Sequence, residues 1–195
     1  MSIVTLPTFK SYIRDEGNGL DDAILQGYID AATSALGQAC GRQWIVYAGG
    51  GATARTYNPE YALRELVIDD CTTITSVTEN GTTRVAGTDF EARPLNNRSA
   101  SGETVPYNTL VKPYQNWYTT NGLASVTVTA TWGWAAIPFQ IVQACLVLGK
   151  ELCNNQDVRL GIVAVSDAAI SGIRTNKIVR DAVNAYPHPN SIGLA

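Results

Sequence analysis

Apolar residues recur along the chain with two periods, and the switches between them divide it into helix, strand and helix. Over residues 7–15, Phe9, Tyr12 and Ile13 fall at i, i+3, i+4 and Pro7 suits a first turn, which predicts a short helix ended by Gly17-Asn18-Gly19. A second helix is predicted from Asp21 and Asp22, carboxylates favoured at the positive end of the helix dipole, to Gly41 as C-terminal cap. Its apolar positions Leu20, Ile24, Tyr28, Ala31 and Ala35, with Leu25, Ile29, Ala32 and Leu36 beside them, form a stripe that demands burial on more than one side.

From about residue 54 to 130 the pattern changes to short runs of Val, Ile, Thr and Tyr bounded by Gly, Asn, Asp and Pro. Strands are predicted at 54–57, 63–68, 74–79, 82–85, 90–93, 110–112 and 125–132. Asn80-Gly81 between the third and fourth supplies the positive φ angles of a tight type I′ hairpin. In the last strand, alternation puts Val126, Val128, Ala130 and Trp132 on one face and hydroxyls on the other. The polar run 96–108 reads as an exposed loop.

Helix returns after Trp134. Pro138 fits a first turn, and Ile141, Val142, Cys145, Leu148 and Leu152 follow at helical spacing, with Leu146 and Val147 filling another side. Residues 158–172 show no steady period and receive no element. A final helix over 176–186 carries Ile178, Val179, Ala182, Val183 and Tyr186, and Pro187-His188-Pro189 stops it. The predicted class is α+β: a small helical bundle of an N-terminal helix pair and C-terminal helices, with an inserted antiparallel β region. The expected boundaries are 1–44, 45–134, 135–186 and a tail at 187–195, within one composite domain.

Of the 195 residues, 45% are hydrophobic and 16% charged, enough for a core and far from a disordered composition. A net charge of -3 argues against gripping DNA or an anionic membrane through the overall field. No apolar run reaches the ~18 residues of a membrane span, and the first residues lack the basic start and apolar run of a secretory signal. The expectation is a soluble protein made and kept in the cytosol. The four cysteines, Cys40, Cys71, Cys145 and Cys153, have no CxxC spacing and read as reduced core residues.

Candidate chemistry is sparse. His188 is the single histidine, which excludes sites needing two imidazoles; set between two prolines with no nucleophile or carboxylate nearby, it reads as a surface or partner-contacting residue. Asp69-Asp70 stands at a predicted strand end, where a turn-forming role outweighs a cation site. Gly49-Gly50-Gly51 is followed by neither Lys-Ser/Thr nor a helix, so it reads as a joint and not a phosphate loop. No G-x-S-x-G elbow occurs. No catalytic group, metal site or cofactor is expected. The aromatic cluster Tyr107, Tyr114, Trp117 and Tyr118, interleaved with Lys112, reads first as core or protein interface and second as a glycan- or nucleic-acid-binding patch.

An ordered set of segments carries a resemblance. Cys40-Gly41-Arg42-Gln43-Trp44 leads to Arg55-Thr56-Tyr57 and to Leu66-Val67-Ile68-Asp69-Asp70; the hairpin 74–81 and Asp89-Phe90 follow. Then come Thr129-Ala130-Thr131-Trp132-Gly133-Trp134-Ala135-Ala136-Ile137-Pro138 entering a helix, Ile173-Arg174, Val179-Arg180 and Ala185-Tyr186. This order resembles the head-tail connector (adaptor, or head completion) proteins of tailed bacteriophages over nearly the whole chain. It departs from their pattern at Asn176-Lys177, where Asp-Pro would precede Val-Arg.

The resemblance implies a non-enzymatic virion protein of the neck. It would form a homo-oligomeric ring, usually of twelve subunits, under the portal protein, close the head after packaging, pass double-stranded DNA without reading its sequence, and carry the next neck or tail protein. On this reading the expected portal contacts are Ile173, Arg174, Ile178, Val179, Tyr186 and His188, because late, weakly periodic segments can order on a partner. The wide apolar stripes make Leu25, Ile29, Leu36, Leu146 and Val147 the expected ring interface. Asn97, Arg98 and Tyr107 are the expected tail-side or channel loop contacts. The alternative is a β-rich binding module of a phage tail using the aromatic patch.

Overall fold

The computed structural model describes residues 2–14, 19–44, 51–59, 63–98, 102–118, 124–154 and 172–189. Two compact units form, one from residues 1–44 with 137–195 and the other from 45–136. The class is α+β.

The first unit is helical. Helix α1 (Leu6–Ile13) starts where Thr5 accepts the amide of Thr8, and it buries Phe9 and Ile13. Helix α2 (Asp22–Cys40) is capped by Asp21, which accepts the amide of Ala23, and ends at Gly41 with φ 63° and ψ 29°. Only a residue tolerant of the left-handed region closes a helix that way, so the predicted Gly cap has a conformational cause. Helix α3 (Phe139–Asn154) lies against α2, and helix α4 (Lys177–Ala185) against α3. Asn176 accepts the amide of Ile178 at 3.0 Å and caps α4. The departure from the connector pattern at Asn176 therefore supplies its own start signal. The unassigned stretch 158–172 lies outside the described residues apart from Gly172, which opens a helical turn at 172–175.

Leu25, Ile29, Ala32, Leu36 and Cys40 of α2, Ile141, Ala144, Cys145, Leu148 and Leu152 of α3, and Val179, Ala182 and Val183 of α4 are all buried, α2 packing on α3 and α3 on α4. Gly149 brings α3 close to α1: a Cβ there would stand 2.9 Å from the ring of Phe9, itself 1% exposed. The helices thus cover each other's apolar sides.

The second unit is a six-stranded antiparallel sheet: β1 (Thr53–Tyr57), β2 (Glu65–Glu79), β3 (Thr82–Arg84), β4 (Glu91–Arg93), β5 (Tyr107–Val111) and β6 (Val126–Trp132). The order is β1-β6-β2-β5-β4, and β3 pairs with the far end of β2. Asn80 and Gly81 take φ 46° and 78° in the predicted tight turn. Its core holds Ile68, Val77, Phe90, Leu110, Trp117, Val126 and Val128.

One strand replaces two predicted ones. The stretches 63–68 and 74–79 are joined through Asp69 and Asp70, so the turn expected there is corrected to mid-strand. The carboxylates have tertiary partners instead of a turn: Asp69 accepts from the Tyr57 hydroxyl at 2.9 Å and pairs with Arg55 at 2.7 Å. Buried Asp70 accepts from Trp134 Nε1 at 2.9 Å, and its carbonyl accepts the amide of Gly133 at 2.7 Å. Gly133 has φ 109°, open to glycine alone in practice, so the Trp-Gly-Trp element is a backbone requirement.

Gly149→Ala is expected to lower stability by about 1–2 kcal/mol, overpacking against Phe9 outweighing the gain in helix propensity. Urea unfolding followed by far-UV circular dichroism checks this, and Phe9→Leu in the same background should recover part of the loss.

Candidate interaction site

β2 carries two bulges opposite β6, between Cys71 and Thr73 and between Ile74 and Ser76. Each extra residue bends and twists the strand. On the other edge of β2, β5 ends opposite Cys71 and β3 begins opposite Val77. Between them, residues 72–76 have no paired strand on that side among the described residues. A cleft of about 430 Å³ opens there, lined by residues 72–77 of β2 with Arg84, Ala86, Phe90, Ala92, Asn97 and Tyr107. Asn97 donates from Nδ2 to the Thr72 carbonyl at 3.2 Å, while its buried Oδ1 has no partner among the described residues.

A buried ion cluster holds the chain beyond the hairpin. Glu79, 1% exposed, accepts from Lys112 Nζ at 2.6 and 2.7 Å, from Arg84 at 2.7 Å and from the Tyr118 amide at 2.7 Å. Lys112 also stands 4.6 Å over the ring of Trp117. Burial alone would raise the Glu79 carboxyl; the Lys112 and Tyr118 hydrogen bonds and the charges of Lys112 and Arg84 outweigh it and hold the group below its ordinary 4.5. This cluster pins residues 112–118 to the sheet and leaves Tyr114 and Tyr118 exposed at its rim. Of the cluster read first as core or protein interface, Trp117 is buried with Nε1 donating to the Leu110 carbonyl and Tyr107 packs half-buried on the sheet core, while Tyr114 and Tyr118 are exposed. No four-ring stacking platform exists for a glycan or a base.

The residues expected to meet partners divide by burial. Leu25, Ile29, Leu36 and Leu146 are buried within the helical unit, so their side chains serve the intramolecular core, whereas Val147 is half-buried and keeps an accessible surface. The side of the stripe made by Leu25, Ile29, Ala32 and Leu36 is covered within the chain, while Ile24 is exposed and Leu20, Tyr28 and Ala31 are half-buried. Among the portal candidates, Ile173, Val179, Tyr186 and His188 are likewise buried, and only Arg174 and Ile178 are exposed. His188 is tied down by its amide to the Cys40 carbonyl at 2.8 Å, while Arg42 donates to the carbonyls of Tyr186 at 2.8 Å and Pro187 at 2.9 Å. The surface reading of His188 is corrected accordingly. Of the loop candidates, Arg98 is exposed and donates to the Gly102 carbonyl at 2.7 Å, whereas Asn97 and Tyr107 belong to the cleft. The expected loop is thus partly anchored, with residues 99–101 outside the described set.

Cys40, Cys71, Cys145 and Cys153 are buried and in no disulfide. Burial pushes the Cys40 and Cys71 thiols up to about 12 and Cys145 to about 11, so these three are neutral at physiological pH. No described helix is long and apolar enough to cross a membrane.

No family model matches the sequence, and no curated protein matches it. Among solved structures the chain is similar to one from the neck of an empty GTA particle, computed with C6 symmetry, with a TM-score of 0.54 and 15% identity over 98% of this chain and 92% of that one. The fold resembles that of a particle-neck protein. A chain from the neck of a native GTA particle, computed with C12 symmetry, gives a TM-score of 0.49 and 14% identity over 99% and 97%.

Glu79→Gln is expected to destabilise the sheet by about 3 kcal/mol at pH 7, because it leaves Lys112 buried without a counter-charge. The Glu79 carboxyl is depressed in the folded state, so its contribution is complete above pH 4.5 and lost as pH falls through the folded value. The stability difference between wild type and Glu79→Gln should therefore shrink on acidification below pH 4.5, which urea titrations at a series of pH values would measure.

Proposed function

We propose that the protein is a structural subunit of a tailed-phage neck, a head-tail connector whose copies close into a ring under the portal. The observation that carries this reading is the likeness to a chain of a particle neck over nearly the full length of both chains. The ordered segments from Cys40 to Tyr186 that resemble connector proteins point the same way. The ring, of twelve subunits in the family it resembles, seals the head after packaging, passes double-stranded DNA, and carries the next neck or tail protein. A net charge of -3 suits a conduit, since a surface that held phosphates tightly would retard passage.

Burial changes which residues can make these contacts. With Leu25, Ile29, Leu36 and Leu146 inside the helical unit, the ring contact falls to apolar side chains left outside, Tyr12, Ile24 and Phe139, the last 73% exposed. Portal attachment falls to Arg174, Ile178 and the chain beyond Pro189.

Mixed with portal rings, the purified protein should add a stacked ring visible in electron micrographs; single unassembled copies and no bound density would overturn the reading. Phe139→Asp should weaken ring formation by about tenfold or more, since it puts a charge into an apolar contact. Removing residues 190–195, beyond the His188 bond to Cys40, should leave the thermal unfolding of the chain unchanged and reduce portal capture in a pull-down.

A further inference from the structure

Glycine in a helix interior is explained where a neighbour stands too close for a side chain. Gly37 and Gly149 meet that condition within the chain: a Cβ on the first would stand 3.0 Å from the Arg42 carbonyl oxygen, and on the second 2.9 Å from the Phe9 ring. Gly27, inside α2, does not. It is exposed, and a Cβ there meets nothing within 4 Å among the described residues. After proline, glycine is the least favourable residue of a helix interior, so the close neighbour that accounts for Gly27 is to be sought outside the chain.

The surface around it is apolar. Ile24, Gly27, Tyr28 and Ala31 fall at i, i+3, i+4 and i+7 on one face of α2. Ile24 is 42% exposed, Tyr28 and Ala31 are half-buried, and α2 carries no charge between Asp22 and Asp30. A matching knob stands at the other end of the helix pair. Phe139, 73% exposed, opens α3 in a stretch without charge from 137 to 149. The first turn of α3 holds no carboxylate, so the positive end of its dipole is left to an acidic neighbour, and the exposed Asp22 and Asp30 flank the Gly27 face.

Thr33 meets Cys145 and Tyr28 lies within electrostatic reach of Cys153, so α2 and α3 run antiparallel. Gly27 and Phe139 each precede the Thr33–Cys145 contact by six residues, which puts them about 18 Å apart along the pair. Phe139 therefore does not reach Gly27 of its own copy, and a head-to-tail ring is built from two such unlike surfaces. We infer that the Phe139 ring of one copy seats on Gly27 of the next, between Ile24 and Tyr28, repeating between copies the packing of Phe9 on Gly149 within the chain. The inference rests on the ring proposed above and names its contact.

Cross-linking tests the pairing with knob and seat both intact. Copies carrying Gln140→Cys are mixed, on portal rings in a glutathione redox buffer, with copies carrying Ala23→Cys or Ala31→Cys, each four residues from Gly27. The native cysteines are buried and compete little. At least one pairing should give disulfide-linked dimers several-fold above a control pairing of Gln140→Cys with Thr88→Cys, an exposed position of the sheet unit. Yields equal to the control overturn the inference, as does a Gln140→Cys chain that links chiefly to itself, the mark of a two-fold contact.

Gly27→Leu gives a second measurement. The new side chain has open space within the chain and leucine favours helix, so the thermal midpoint should hold or rise while ring formation weakens by about tenfold or more. An unaltered ring overturns the inference. Sedimentation of the wild type with portal rings separates the two readings. A ring without the cross-link removes the seat and leaves the ring; a cross-link without a ring keeps the seat and removes the ring; absence of both removes both.

Discussion

The pairing of β1 with β6 is the constraint on which the two-unit construction depends. Thr53 lies opposite Ala130 and Tyr57 opposite Val126, so the chain enters the sheet and leaves it on adjacent strands. Trp132 Nε1 donates to the Thr53 carbonyl at 2.9 Å, and the Arg55 guanidinium sits 4.5 Å over the Trp132 ring, fastening the two crossings together. An insertion that closes its own ends adds little loop-closure cost to the helices on either side of it in sequence, because that cost grows only slowly with loop length. The helical core can then be assembled from segments on either side of the sheet in sequence, with α2 packing on α3.

Within the sheet, charge is buried where the strand must take a single path. Asp70 and Glu79 lie nine positions apart on β2, and each is met by donors from another part of the unit: Trp134 for the first, and Lys112, Arg84 and the Tyr118 amide for the second. Burying these carboxylates is tolerated only with such partners in place, so a slipped register would leave charges unpaired in a poorly solvating interior. Between them lie the two bulges of β2 opposite β6.

Much of this was legible along the chain. The Gly41 cap and the Asn80-Gly81 turn act through their own dihedral angles, so local chemistry sufficed for them, whereas the side-chain caps of Asp21 and Asn176 came from the structure. The apolar stripe of α2 was legible too, but its meaning was not: Leu25, Ile29 and Leu36 demand cover, and periodicity alone does not distinguish a neighbouring helix from a neighbouring copy. The same limit applies to Val179, Tyr186 and His188, whose lateness in the chain implied freedom until Arg42 and Cys40 were seen to hold the segment. The cleft left no signal at all, because it arises from the separation of β5 and β3, which no run of residues encodes.

What the sequence determined by itself was the class, the order of elements and most of their ends, since those follow from periodicity, capping and turn chemistry acting over a few residues. Tertiary structure alone decided that Asp69 and Asp70 continue a strand instead of turning it, that Glu79 is a buried anchor, and which apolar residues remain outside for partners. The physical reason is the same in each case: the fate of a side chain that can be satisfied in several ways is set by the group that reaches it, and that group lies far away along the chain.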